Sequence, residues 1–332
     1  MEVKLHAARS LVGRLRGAAA VHDGAATAVA IAEIRHATKD DPDIRAPLAD
    51  AGAVPFLAAQ LTAPSAASED AAAALLNISI SARGQLMSAP GLLDALTAAL
   101  RADEYCAAHH AAATVYSLLC VEANRPVVGA RRPLLAALVS LLRAAPNTRA
   151  TKDALKALFA VALHPPNRAT LVGLGAVQAL FALIMTDGRS GIMEDATAVV
   201  AQVAGCAESL DAFTRMSGLR ILVDLVEQGG ASTPRTRENA AAALLNLVVA
   251  RRRARRGGGD RGGRRGGRGE GARGGRHGER EGEGEGGVAA AGVGVRRREA
   301  ARAPARRLPE RAGAVRPVHL VAGVGVDARV NG

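Results

Sequence analysis

Residues 72–78, Ala-Ala-Ala-Leu-Leu-Asn-Ile, and residues 241–247, Ala-Ala-Ala-Leu-Leu-Asn-Leu, are almost the same seven residues written twice. Looser versions lie between and before them: AIAEIRH at 30–36, TVYSLLC at 114–120, ALKALFA at 154–160 and TAVVAQV at 197–203. Aligned on one apolar position they give Ile34, Leu75, Leu118, Leu158, Val200 and Leu244, at intervals of 41, 43, 40, 42 and 44 residues. Ala and Leu are the strongest helix formers, so each stretch reads as a helix. Recurrence at a nearly fixed period is the mark of a stacked array, in which each unit buries its apolar face on the next.

The residues between the stretches are punctuated in a matching way. Ala51-Gly52-Ala53-Val54-Pro55, Pro90-Gly91-Leu92-Leu93, Gly175-Ala176-Val177 and Ser217-Gly218-Leu219 each precede a short apolar run. A Gly at such a point is expected to end one helix in a left-handed conformation and start the next at an angle. The third link departs, with Ala130-Arg131-Arg132-Pro133, where Pro suits a first helical turn. Ser68-Glu69-Asp70 is expected to cap one helix, and Ser232-Thr233-Pro234 another.

The period falls in the window of about 40–47 residues seen for armadillo and HEAT repeats, outside that of ankyrin or tetratricopeptide repeats. The Ala-Leu-Leu-Asn motif at 74–77 and 243–246, with its Gly-containing links, resembles the armadillo family. The connector Lys39-Asp40-Asp41-Pro42-Asp43-Ile44-Arg45, following Ala32-Glu33-Ile34-Arg35-His36-Ala37-Thr38, resembles the first armadillo repeat of plant U-box proteins. The resemblance implies an all-α, right-handed α-solenoid whose third helices line a concave groove. It implies that the array binds the substrate or a regulatory partner of a ubiquitin ligase. The U-box that would recruit the ubiquitin-charged E2 needs about 70 residues, more than residues 1–24 hold. Contact with the E2 and ubiquitin machinery is therefore expected only through a U-box that these residues do not contain.

Residues 1–24 read as an amphipathic helix covering the open end of the stack, with Lys4, Arg9, Arg14 and Arg16 beside Leu5, Ala8, Leu11, Val12 and Leu15. Residues 25–250 hold five repeats plus the last helix of a sixth. Residues 251–332 form a low-complexity tail rich in Arg, Gly and Ala, with 21 Arg against 9 acidic residues. That tail carries the whole formal charge of +12, because the remainder has 22 basic and 22 acidic residues. At this density Arg and Gly cannot bury enough surface to order a chain, so disorder is expected. The tail has no aromatic residue and no Ser, Thr, Lys, Ile, Gln, Met or Cys. A shifted reading frame in a GC-rich gene would leave that signature. The competing reading takes Arg261-Gly262-Gly263 and Arg265-Gly266-Gly267 as RNA-binding segments, with the repeats serving assembly.

Candidate binding residues come from the resemblance. Asn77 and Asn246 align with the armadillo Asn that hydrogen-bonds the backbone of an extended peptide, and His36, Cys120, Ala160 and Gln202 hold the equivalent positions. An amide suits this role because it both donates and accepts. The competing reading is that the two amides bond locally. Import adaptors of the same fold place a Trp one turn earlier; here Ala73 and Ala242 stand there and Trp is absent from the chain.

No enzymatic activity, cofactor or metal is expected. The three Cys (106, 120 and 206) form no CxxC pair, which fits a reducing cytoplasmic or nuclear setting. Cys106 and His110 are spaced as two metal ligands, but with no third nearby the His109-His110 pair reads as a satisfied interior or groove pair. No apolar run is long enough to span a bilayer, so no membrane partner is expected.

Overall fold

The computed structural model describes residues 2–62, 65–102, 106–186, 189–227 and 232–262. Helix α1 (Glu2–Ala20) and α2 (Gly24–Asp40) open the chain. Units of three helices follow, each made of a short first helix, a second, and a longer third. The first unit is a 3-10 turn (Pro42–Ile44) with α3 (Arg45–Asp50), then α4 (Ala53–Ala59) and α5 (Ser68–Ser81). Next come α6 (Arg83–Ser88), α7 (Leu92–Arg101) and α8 (Ala108–Leu119), then α9 (Asn124–Gly129), α10 (Arg132–Ala144) and α11 (Thr148–Ala162). After them run α12 (Pro165–Gly173), α13 (Ala176–Thr186) and α14 (Ser190–Val203), and finally α15 (Ser209–Arg215), α16 (Gly218–Glu227) and α17 (Pro234–Gly262).

The units stack in sequence order as an all-α solenoid. Each third helix packs on the third helix before it, from α2 through α5, α8, α11 and α14 to α17. Behind this ladder the second helices form their own row, α4 on α7, α7 on α10 and α10 on α13. Helix α1 lies against α2 and α3 at the first end and buries Ala8, Val12 and Leu15 there.

The aligned apolar positions lock the ladder. Ile34, Leu75, Leu118, Leu158 and Val200 are fully buried. Each such side chain contributes about 1.5–3 kcal/mol by leaving water. Leu244 is only half-buried, since no described helix stacks on α17.

The links divide into two kinds. Gly52, Gly91 and Gly175 take φ of 85°, 76° and 80°, the left-handed geometry that a Cβ disfavours. At Gly175 the chain turns by 76° between α12 and α13. The fourth link corrects the expectation placed on Gly218. Ser217 is the left-handed residue there, with φ of 52°, and Gly218 already lies inside α16. Gly218 is small for a different reason: a Cβ on it would meet Phe181 Cε2 and Cζ at 2.8 Å. Phe181 and Phe213 meet edge to face beside it, ring centroids 5.3 Å apart. Backbone approach, and not backbone twist, selects Gly at that position.

Two further expectations are corrected. Ser68 is the first residue of α5 and not its cap; its hydroxyl donates back to the Gln60 carbonyl at 2.8 Å, and Ala67 sits at the cap without a side-chain bond. Glu69 and Asp70 do fall in the first turn, near the positive helix end. Thr233 does cap α17, accepting from the Thr236 backbone N–H at 3.2 Å. The boundary drawn after Ala250 also falls inside a helix, because α17 runs on to Gly262 with Arg251–Arg256 exposed. Propagating an existing helix adds one hydrogen bond per residue fixed, Arg is a good helix former, and cations suit the negative helix end. Of the segments on which the RNA and reading-frame expectations rest, residues 251–262 fall within α17, and everything past Gly262, including Arg265-Gly266-Gly267, lies outside the described residues.

Candidate functional site

Each inner third helix has neighbours on three sides: the third helices before and after it, and the second helices behind. One side stays open. On α11 it carries Arg149, Asp153 and Lys156, at the i, i+4, i+7 spacing of a single helical face. Counting by the repeat, Asp153 corresponds to Val29, Asp70, Ala113, Asp195 and Asn239, every one of them half-buried or exposed.

The amides expected to bind lie at the end of this open row. Asn77 donates through Nδ2 to Thr38 Oγ1 at 3.1 Å, across the α5–α2 junction. Asn246 does the same across α17–α14, donating to the Ala201 carbonyl at 2.8 Å. Both are half-buried, and neither Oδ1 has a hydrogen-bond donor among the described residues. Each amide thus spends its N–H on the neighbouring repeat and keeps its oxygen open. Gln202 is half-buried, and its Oε1 accepts from Arg168 Nη2 at 3.0 Å. His36 is exposed, with its Nδ1 2.6 Å from its own helix's Ala32 carbonyl. Cys120 is exposed and Ala160 buried, so the six positions do not present one uniform ladder.

Carboxylates are the stronger electrostatic feature of the open face. Burial raises the pKa of both Asp153 and Asp195, against the pull of Lys156 and Arg149 on the first and of Lys152 and Lys156 on the second. Lys156 Nζ stands 3.6 Å from Asp153. Asp70 pairs with Arg35 across α5–α2. Tyr116 is the aromatic residue on this face, one turn before Cys120.

His109 and His110 differ from the satisfied pair expected. Their rings meet at a tilt of 37° with centroids 3.8 Å apart, yet the buried Nδ1 of His110 has no hydrogen-bond partner among the described residues. Burial, followed by the neighbouring His109 and the Arg149 and Arg35 charges, pushes the His110 pKa down to about 3. Cys106 is exposed, and no group of three metal-ligating side chains occurs among the described residues.

Sequence reasoning missed a row of arginines. Arg45, Arg125 and Arg168 each sit at the start of a short first helix and donate Nε to a carbonyl in the last turn of the preceding third helix. The acceptors are Thr38 at 2.8 Å, Leu119 at 3.4 Å and Ala162 at 2.8 Å. Arg83 instead reaches the Ser117 carbonyl of the following third helix at 2.9 Å. A guanidinium there satisfies orphan carbonyls at the negative helix end. The signal was present as Arg recurring once per period, including Asn124-Arg125 and Asn167-Arg168.

Residues 10–248 match the family described as the plant U-box protein ARM repeat region. The chain belongs to that family. Its ARM region is 30% identical over 219 residues to U-box domain-containing protein 16 of Arabidopsis thaliana, covering 65% of this chain and 31% of that protein. It is 28% identical over 195 residues to U-box domain-containing protein 8 of the same plant, covering 58% and 50%. The chain therefore spans from 31% to 50% of the length of these relatives. Among solved structures, computationally designed armadillo repeat proteins for modular peptide recognition superpose with a TM-score of 0.61 at 22% identity, over 72% of this chain and 99% of theirs. At that identity the likeness is one of fold. The chain is thus an armadillo-repeat solenoid of the plant U-box ARM type, and no helix among its described residues is long and apolar enough to cross a membrane.

Proposed function

We propose that this ARM array holds an extended segment of a partner protein along its open third-helix face, as the substrate- or partner-recognition part of a plant U-box-type ubiquitin ligase system. The reading takes the array as a right-handed superhelix working in the cytoplasm, the nucleus or both. The observation that carries it is the pair of unspent amide oxygens on Asn77 and Asn246, each fixed by a hydrogen bond across a repeat junction. An acceptor held rigid before binding loses little entropy when a peptide N–H arrives. On the third helices between these two amides, Asp153 of α11 and Asp195 of α14 are partly desolvated carboxylates, and a Lys or Arg side chain of the partner would satisfy them.

Partners are selected from a displayed peptide library with the full chain, and the selected peptides are then titrated against Asn77→Ala, Asn246→Ala and Asp153→Ala. Loss of about tenfold in affinity for each is expected, the size of one hydrogen bond or half-buried ion pair. Peptides that bind all three variants as tightly as the unaltered chain would place recognition on another surface and sink the proposal.

A further inference from the structure

The repeat pattern assigns a job to every face of every helix, and at α16 and α17 one of those faces is bare. In α4, α7, α10 and α13 the stripe that meets the next unit is Val54/Ala58/Leu61, Leu93/Thr97/Leu100, Leu135/Val139/Leu142 and Val177/Phe181/Ile184, all buried. The same stripe on α16 is Leu219, Val223 and Val226, and it is 51%, 38% and 36% exposed. On the third helices one stacking position is Ile31, Ala72, Val115, Leu155 and Thr197, every one fully buried; on α17 it is the exposed Ala241. Leu245 and Val248 continue the α17 stripe at 62% and 49% exposure. Since α16 packs on α17, the two stripes form one apolar surface, continuous with the junctions that hold the array together.

The opposite end of the array offers no match for it. Helix α1 covers that end, with Arg14 paired to Glu33 of α2, Arg16 set over the Phe56 ring of α4, and Arg9 exposed. The complementary surface is the bare face itself. An isologous pairing places each residue against its two-fold mate, so it must also be electrostatically self-complementary. Centred on Leu245, positions seven residues away in either direction fall on the same helical face. They are Glu238 and Arg252, both exposed and neither in an ion pair among the described residues. In an antiparallel pair of α17 helices crossing at Leu245, Glu238 of one copy meets Arg252 of the other, twice, with Ala241 and Val248 of both copies packing between them.

We propose that this face is a homodimer interface: two copies of the chain join through α17, antiparallel about Leu245, with the α16 stripes widening the apolar contact. The partner is a second copy of this chain.

The full chain is studied by sedimentation velocity over a concentration series, with far-ultraviolet circular dichroism confirming the fold of each variant. A mass that doubles with concentration is expected for the unaltered chain, and Leu245→Asp is expected to remain monomeric. Glu238→Arg and Arg252→Glu are each expected to weaken the dimer about tenfold, because each reverses two symmetry-related pairs. The double variant restores both pairs with their signs exchanged and is expected to recover the original affinity. A monomer at every concentration, as when the face is already covered, overturns the proposal. So does a dimer indifferent to the single charge reversals, or a double variant no better than the singles.

Discussion

Asn246 on α17 donates its amide hydrogen to the Ala201 carbonyl of α14 at 2.8 Å, and this bond ties the last described helix to the ladder. Asn77 makes the corresponding reach from α5 to Thr38 on α2. Replacing Asn246 with Ala is expected to cost about 1 kcal/mol, and Asn246→Asp more, since a carboxylate would face a carbonyl oxygen. Hydrogen exchange of the α17 amides is the appropriate measurement, because repeat arrays lose their ends before their middles. Unchanged protection in both variants would mean the bond carries no part of that junction.

The two kinds of link glycine respond differently to substitution. Gly218→Ala drives a methyl into the Phe181 ring and is expected to cost about 1–3 kcal/mol by overpacking. Gly52→Ala meets no atom within 4 Å but must hold φ of 85°, and costs about 1 kcal/mol. Gly52→Asn should recover part of that loss, whereas Gly218→Asn should be worse than Gly218→Ala. Urea denaturation of the four variants checks the crossing order. Ser217→Gly, at a left-handed position occupied by a residue with a Cβ, is expected to stabilise slightly.

His110 makes stability depend on pH with a definite sign. Its folded pKa of about 3 lies below the ordinary histidine value of 6.5, so between those limits the unfolded chain binds the extra proton. The contribution of the neutral imidazole is full above about pH 6.5 and is lost as pH falls toward 3. His110→Gln should flatten the fall in melting temperature through that window. A His110 ring that titrates near pH 6.5 in a nuclear magnetic resonance titration would refute the assignment.

Much of this was readable in advance. Ile34, Leu75, Leu118, Leu158 and Val200 could be picked as core from the period alone, since a buried ladder forces the same chemistry at each step. Ser68, Gly218 and Arg168 were not legible in their true roles. Each acts on a partner that period arithmetic does not bring into view: the Gln60 carbonyl, the Phe181 ring, the Ala162 carbonyl and Gln202. The candidate residues Asn77 and Asn246 could be named as positions from the repeat. Their hydrogen-bond economy, one side spent on the neighbour and one kept open, needed coordinates.

The open-face carboxylates set stability against recognition. Asp153 and Asp195 have pKa values raised by burial, so each loses stabilisation as pH rises and the carboxylate ionises. Asp153→Asn and Asp195→Asn are expected to melt higher than the unaltered chain at neutral pH and to bind a basic peptide more weakly. A drop in melting temperature for both would show that the Lys156 and Lys152 charges already compensate the burial.

The stripe that binds one unit to the next is made of interchangeable small apolar residues: Ile31, Ala72, Val115, Leu155 and Thr197 all do the same work. A gene that duplicated or deleted one whole unit would therefore join surfaces that already fit. Length in such a molecule is inherited in quanta of one repeat, and each change of length shifts the register of the open third-helix row without redrawing any single contact in it.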